Sequence, residues 1–125
     1  MSKITIEVNQ LPPAEYSPNA RVHWRRRYQA GKLYGEAVYY AAVDIRNKVN
    51  WQASDHAVME LDFIFAEERI RDVDNHLARF KPGLDSLVNA GIIKHDDMKH
   101  LVFKRISCIT DKGRAPRTII AVEKR

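Results

Sequence analysis

Near its beginning the chain alternates between apolar and polar side chains. Between Ile4 and Val8 every second residue is apolar, and a period of two predicts a strand with one buried face. Pro12 and Pro13 follow closely, and they end the strand because proline has no N–H to donate to a sheet. Residues 15–31 show no clear period, so we predict a loop there.

A helical pattern comes next, and it predicts an amphipathic helix over residues 33–50. The apolar stripe of this helix consists of Tyr34, Val38, Ala41, Ala42, Ile45 and Val49. Alternation returns over 57–66 and predicts a second strand. Together these segments give the order strand, helix, strand.

A second helical pattern runs from Leu77 to Val88, with Gly91 at the place of a C-terminal cap. Pro82 lies inside the pattern and must kink or divide the helix, because it lacks the N–H that would bond to Ala78.

Two further strands are predicted near the end of the chain, over 100–110 and 117–123. Asp111-Lys112-Gly113-Arg114 lies between them, and its composition favours a hairpin turn.

The composition agrees with a folded α+β protein. The chain has 125 residues, of which 45% are hydrophobic and 30% charged, so we expect a single compact domain. Its architecture should be a mixed β-sheet of about four strands packed against two main helices. The sequence contains no apolar run long enough to span a bilayer and begins without a signal-peptide pattern, so a cytoplasmic location is expected. Cys108 is the one cysteine; it excludes an internal disulfide and is interpreted as a small buried hydrophobe.

Charge is distributed unevenly along the chain, whose formal net charge is +5. Residues 1–53 carry 8 basic and 4 acidic groups, residues 54–97 carry 5 and 10, and residues 98–125 carry 8 and 2. Basic surface attracts phosphodiester backbones, whereas clustered carboxylates repel them unless a cation lies between. The distribution therefore suits a nuclease that uses a divalent metal, although basic stretches also arise by chance in a chain of this composition.

Two acidic segments carry the candidate chemistry. Asp72 and Asp74 are two residues apart, and in an extended segment both side chains would point to the same side and hold one ion. The alternative is a loop that leads into a helix capped by Asp74 or Asn75. Asp96 and Asp97 offer further carboxylates, with the alternative that they cap a short helix.

Histidines flank the second acidic segment. His95 and His100 are interpreted as surface or partly buried side chains rather than as metal ligands.

Taken in order, these motifs resemble the RusA family of Holliday-junction resolvases, which is common in phages and prophages. The central motifs are RDVDN at 71–75, KPGLDSL at 81–87, AGII at 90–93 and the pair at 96–97. The N-terminal motifs are the Pro12-Pro13 pair, SPN at 17–19 and HWRRR at 23–27. The resemblance covers most of the chain, and its specific core spans residues 72–97.

The resemblance implies a magnesium-dependent endonuclease that cuts four-way DNA in recombination and repair, with Asp72, Asp74 and Asp97 as the essential metal-holding residues. It also implies a catalytic lysine three positions after the asparagine, where this chain has Ala78. Lys81 is the candidate for that role, displaced by three residues, and Arg79 is the substitute.

Resemblance and symmetry both lead us to expect a homodimer, because a four-way junction needs paired cuts. The residues expected to contact DNA are Arg21, Trp24, Arg25, Arg26, Arg27 and Lys32, with Tyr28 as a second stacking candidate beside Trp24. The alternative for this segment is a solvated basic loop with Trp24 in the core. Two other functions stay open: a non-catalytic protein that binds branched or single-stranded DNA, and a nuclease specific for flaps or ends.

Overall fold

A mixed four-stranded sheet forms the centre of the protein in a computed structural model that describes residues 2–125. The elements in chain order are β1 (Lys3–Val8), a 3₁₀ turn (Ala14–Tyr16), α1 (Trp24–Val49), β2 (Ala57–Phe65), α2 (Val73–Arg79), α3 (Lys81–Asn89), β3 (Leu101–Thr110) and β4 (Arg117–Lys124). The α+β class and the four strands agree with the sequence prediction. Three helices are present where two main ones were expected.

The strand order is β1-β4-β2-β3. β4 pairs antiparallel with both β1 and β2, whereas β3 pairs parallel with β2. The predicted hairpin between the last two strands is therefore wrong, because β2 lies between β3 and β4. Their connection passes the end of β2, where the Asp111 N–H donates to the Phe65 carbonyl over 2.8 Å. Turn composition indicated a reversal correctly but could not show that a third strand fills the gap.

The apolar alternation predicted for the first two strands is confirmed. In β1 the buried residues are Ile4, Ile6 and Val8. In β2, likewise, every second residue from Ala57 to Phe65 is buried. Cys108 on β3 is only half-buried, packed against this core. Burial raises the pKa of its thiol.

The helix α1 covers the sheet with the predicted stripe, of which Tyr34, Val38 and Ala42 are fully buried. It begins at Trp24, so the prediction of a loop up to residue 31 is wrong at its C-terminal part. Periodicity missed the first turns because their large side chains face solvent: Trp24 is 66% and Tyr28 is 63% exposed. An exposed helical turn has no buried stripe to detect.

The second helical pattern divides at Phe80, as the proline required. Phe80 is the C-cap residue of α2 and the N-cap residue of α3. Pro82 lies in the first turn of α3, where the missing N–H is tolerated. α3 packs closely on α1, since the Ser86 hydroxyl donates to the Gly35 carbonyl over 2.6 Å. A Cβ at Gly35 would meet that hydroxyl at 3.1 Å.

No helix within residues 2–125 combines the length and apolarity that crossing a membrane requires.

Candidate functional site

The first acidic segment lies at the start of α2. Asp72 has an extended backbone and precedes the helix, whereas Asp74 is already in its first turn. The extended arrangement expected for the pair is therefore wrong for Asp74. Both residues are exposed, and neither carboxylate has a hydrogen bond or salt bridge among residues 2–125. Neither side chain caps the helix, so both are available to an external cation.

Asn75, the next polar residue of this segment, is engaged with the rest of the protein. Its side-chain oxygen accepts from the Ser17 hydroxyl over 2.7 Å and from Arg79 Nε over 3.2 Å. Arg27 in turn donates to the Ser17 carbonyl over 2.7 Å. The N-terminal and central motifs therefore meet at Asn75, which positions α2 rather than capping it.

His76 holds the start of α2 against the core through two contacts. Its Nδ1 lies 2.8 Å from the Asp72 carbonyl, and its ring packs edge-on against Phe65 with centroids 5.1 Å apart. Burial lowers the pKa of His76, so the imidazole is neutral at pH 7 and Nδ1 is the donor in that contact.

A cavity of about 320 Å³ lies beside this segment. Three arginines, Arg69, Arg71 and Arg79, line it together with Glu67, His76 and residues of the 11–14 loop. Burial and the neighbouring Arg71 lower the pKa of Arg79, and Arg71 Nε is buried without a hydrogen-bond partner in the described chain. The cavity therefore has three guanidinium groups against one carboxylate, and none of the three arginines forms a salt bridge within residues 2–125. This excess of positive charge suits an anionic ligand.

Lys81 pairs with two carboxylates other than Asp72 and Asp74. Its amino group donates to Asp85 over 2.9 Å and to Asp96 over 3.3 Å. These hydrogen bonds, first that to Asp85, raise the pKa of Lys81. Lys81, at the start of α3, therefore joins that helix to the 94–100 segment.

Asp97 caps the turn that precedes β3, which is the capping alternative considered from sequence. Its Oδ1 accepts from the backbone N–H groups of Lys99 and His100, and lies 2.7 Å from His100 Nδ1. The contact with the His100 side chain is the main reason that the pKa of Asp97 lies below its usual range. The other oxygen of this carboxylate, Oδ2, has no hydrogen bond within the described chain.

The three predicted metal-holding carboxylates do not form a ready-made ligand cluster in the described chain. Over residues 2–125, Asp72, Asp74 and Asp97 form no group whose ligand atoms approach within 4.8 Å of one another. Such a group does form from Asp55, His95 and His100. The α2–α3 pair folds back as expected and brings the 94–100 segment to Lys81.

The basic residues of the N-terminal motif lie on α1 and not in a loop. Arg25 and Arg26 are exposed, as are Arg21 and Lys32. Arg27 differs, because its guanidinium lies 4.4 Å from the centre of the Tyr16 ring and also bonds to Ser17. Trp24 is exposed, so it is not part of the core, and the Arg25 guanidinium lies 5.3 Å from its ring centre.

Sequence reasoning missed Arg69 and Arg71 as cavity residues, and it missed Asp55 altogether. Both arginines lie within three residues before Asp72, so a search for basic residues next to the Asp72–Asp74 segment would have found them. Asp55 is 40 residues from His95, and no local pattern connects them.

No protein-family model matches this chain. It is similar to a protein of Xylella fastidiosa (strain Temecula1) whose description reads "Uncharacterized protein", with 38% identity over 84 residues. The alignment includes 63% of this chain and 52% of that protein. The chain therefore spans about half the length of the curated relative it matches.

Proposed function

We propose that this protein is a magnesium-dependent endonuclease that resolves Holliday junctions, of the RusA type. The observation that supports it best is the position of two unpartnered carboxylates, Asp72 and Asp74, next to a cavity lined by three arginines. A phosphodiester needs both kinds of group, since cations bind its oxygens and carboxylates hold the metal that acts on it.

Magnesium suits the donors at the start of α2. It prefers oxygen ligands and is usually held by one or two protein carboxylates, which leaves positions for water and phosphate. Asp72 and Asp74 would hold it, and Asp97 would contribute through Oδ2, because Oδ1 is occupied by the turn that it caps. When bound, the ion supplies Lewis-acid chemistry and an activated water.

Arg79 is the best-placed cation for charge that develops on the phosphoryl oxygens. It lines the cavity and is held at Asn75 by its Nε, so its remaining donors are available to an anion. Arg71 lies near enough to lower the pKa of Arg79, and a bound phosphate would relieve this repulsion between like charges. Lys81, paired with two carboxylates, is less available for the role.

The exposed surface at the start of α1 would bind the arms of the junction. Arg21, Arg25, Arg26 and Lys32 would contact phosphates, while Trp24 and Tyr28 offer exposed rings for stacking on an unpaired base. Arg27 would act indirectly, because it holds the Tyr16–Ser17 segment in place.

Paired cuts in a two-fold symmetric junction call for a homodimer with two active sites. The edge strand β3 is a candidate interface: its outer edge has no strand partner within residues 2–125, and Val102 and Ile109 are exposed on it. Such a dimer would act on DNA in the bacterial cytoplasm, encoded by a phage or prophage.

A non-catalytic protein that binds branched or single-stranded DNA is the second candidate. It is favoured by the absence, over residues 2–125, of a ready-made ligand cluster of Asp72, Asp74 and Asp97, since binding needs the basic surface and not the carboxylates. A nuclease specific for flaps or ends would use the same chemistry on a different DNA shape.

A synthetic mobile four-way junction tests these functions directly. We expect cleavage with Mg²⁺ and none without it, and we expect the junction to be cut faster than a flap of the same sequence.

Asp72→Asn and Asp74→Asn should each abolish cleavage while junction binding stays intact or tightens, because repulsion of phosphate is removed. Asp44→Asn, which removes an exposed carboxylate on α1, is the matched control and should cut normally. Binding without cleavage by the native protein would favour the binding protein, and preferred cutting of flaps would replace the resolvase.

A further inference from the structure

A cluster of histidines and one aspartate lies where two loops meet at the start of β2 and β3. Asp55 and His56 precede β2, and His95 and His100 belong to the segment before β3. One ligand atom from each of Asp55, His95 and His100 lies within 4.8 Å of the others. The cluster is separate from Asp72 and Asp74, and the proposed endonuclease chemistry does not use it.

Backbone hydrogen bonds hold the two loops together on both sides of the cluster. The Lys94 N–H donates to the Ser54 carbonyl over 2.9 Å, and the Ala57 N–H donates to the His100 carbonyl over 2.9 Å. In the first loop, Asp55 lies between Ser54 and Ala57. In the second loop, His95 lies between Lys94 and His100. The backbone that carries the facing side chains is therefore anchored next to the sheet.

The distances among the side chains match those of a transition-metal site. His95 Nε2 lies 3.4 Å from Asp55 Oδ1, which is about the edge of a tetrahedron whose metal–ligand bonds are about 2.1 Å. The rings of His95 and His100 are neighbours, with centroids 4.2 Å apart. Imidazole nitrogens beside a carboxylate select zinc and similar ions over magnesium, which prefers oxygen alone.

His100 is also oriented as a metal-bound histidine usually is. Its Nδ1 lies 2.7 Å from Asp97 Oδ1, and donation of the Nδ1 proton to that carboxylate leaves Nε2 with its lone pair. Histidine ligands of metals commonly donate their second ring nitrogen to a carboxylate, which fixes the tautomer and the ring direction. Asp97 is thus a positioning residue for His100.

We propose that Asp55, His95 and His100 form a binding site for one Zn²⁺ per chain, with Asp97 orienting His100. Three protein ligands leave a fourth position for water or another ligand, so the site is of the open kind. Because it joins the loops before β2 and β3, the bound ion stabilises the folded chain by mass action.

Zinc titration of the whole protein, with Mg²⁺ in excess and no DNA, tests the proposal independently of nuclease activity. We expect one Zn²⁺ per chain by calorimetry and a higher Tm when it is bound. His95→Gln and Asp55→Asn should each weaken zinc binding at least tenfold. His23→Asn is the matched control, because it removes an exposed imidazole while asparagine keeps a residue that caps α1, and its affinity should be unchanged.

Asp97→Asn should weaken zinc binding about tenfold to a hundredfold and should change the tautomer of His100, which is read from its side-chain ¹⁵N shifts. Asp96→Asn removes the neighbouring charge without touching His100 and should do neither. Zinc should shift the ring nitrogens of His95 and His100 but not those of His23. Absence of zinc binding, or equal affinity in His95→Gln, Asp55→Asn and the native protein, would overturn the site. An unchanged affinity in Asp97→Asn would remove its positioning role.

Discussion

The Ser17 hydroxyl donates a 2.7 Å hydrogen bond to the side-chain oxygen of Asn75, 58 residues further along the chain. This contact joins the segment before α1 to the start of α2, where the proposed active site lies. Ser17 is buried, so water cannot easily replace Asn75 as its hydrogen-bond partner.

Ser17→Ala should lower the free energy of unfolding by about 1 kcal/mol, the usual net value of one buried hydrogen bond. Urea unfolding should show a lower midpoint with an unchanged m value. Ser107→Ala is the control, because the Ser107 hydroxyl makes no hydrogen bond within the described chain. Equal midpoints for the two variants would mean that the Ser17–Asn75 contact contributes nothing.

In the proposed endonuclease, Arg79 is the catalytic cation. Arg79→Ala should reduce the single-turnover rate of junction cutting by about a hundredfold, the loss expected when one preorganised donor is removed from a developing charge. Junction affinity should change little, because that charge is absent from the ground state. Lys81→Ala should cut within about threefold of the native rate, since Lys81 is paired with Asp85 and Asp96. The opposite pattern would return the role to Lys81.

The arginines of the HWRRR motif should divide into two kinds. Replacing Arg25 and Arg26 together by alanine should reduce the slope of log binding constant against log salt by about 1.8, since each lost phosphate contact removes about 0.9. Arg27→Ala should leave the slope unchanged but lower Tm, because its guanidinium bonds to Ser17 and packs on Tyr16. Binding in a salt series and thermal unfolding separate the effects. An unchanged slope in the double variant would show that this part of α1 faces away from DNA.

His76 should make the folded state sensitive to acid. Burial lowers its pKa in the folded protein below the unfolded value of about 6.5, so the unfolded state takes up the proton first. Its contribution to stability is therefore complete above about pH 6.5 and is lost as pH falls through the lower folded pKa. His76→Asn keeps a donor for the Asp72 carbonyl but does not titrate, so it should flatten that part of the profile. Urea midpoints of the native protein and of His76→Asn, measured between neutral and mildly acidic pH, give the comparison.

Local patterns determined much of this fold. Every second residue from Ile4 to Val8 is buried as predicted, since a strand with one face on a core needs that period. Pro82 divided its helix as predicted, because the missing N–H is a property of the residue itself.

The start of α1 could not be predicted in this way. Trp24 and Tyr28 are exposed, so the first turns of that helix leave no apolar stripe in the sequence. Lys81 was not predicted from the sequence to pair with Asp96. The direction of its side chain depends on where Asp96 lies after folding, and the spacing of residues does not encode that.

The α+β class, the positions of the strands and the candidate residues Asp72, Asp74 and Arg79 could be inferred from the sequence alone. Only the tertiary structure decided that β2 separates β3 from β4, that Arg69, Arg71 and Arg79 share one cavity, and that Asp55 faces His95. Burial periodicity reports the surroundings of one segment at a time. Pairings between distant segments depend on how the whole chain packs, because each forms only when the sheet and the helices have brought both partners together.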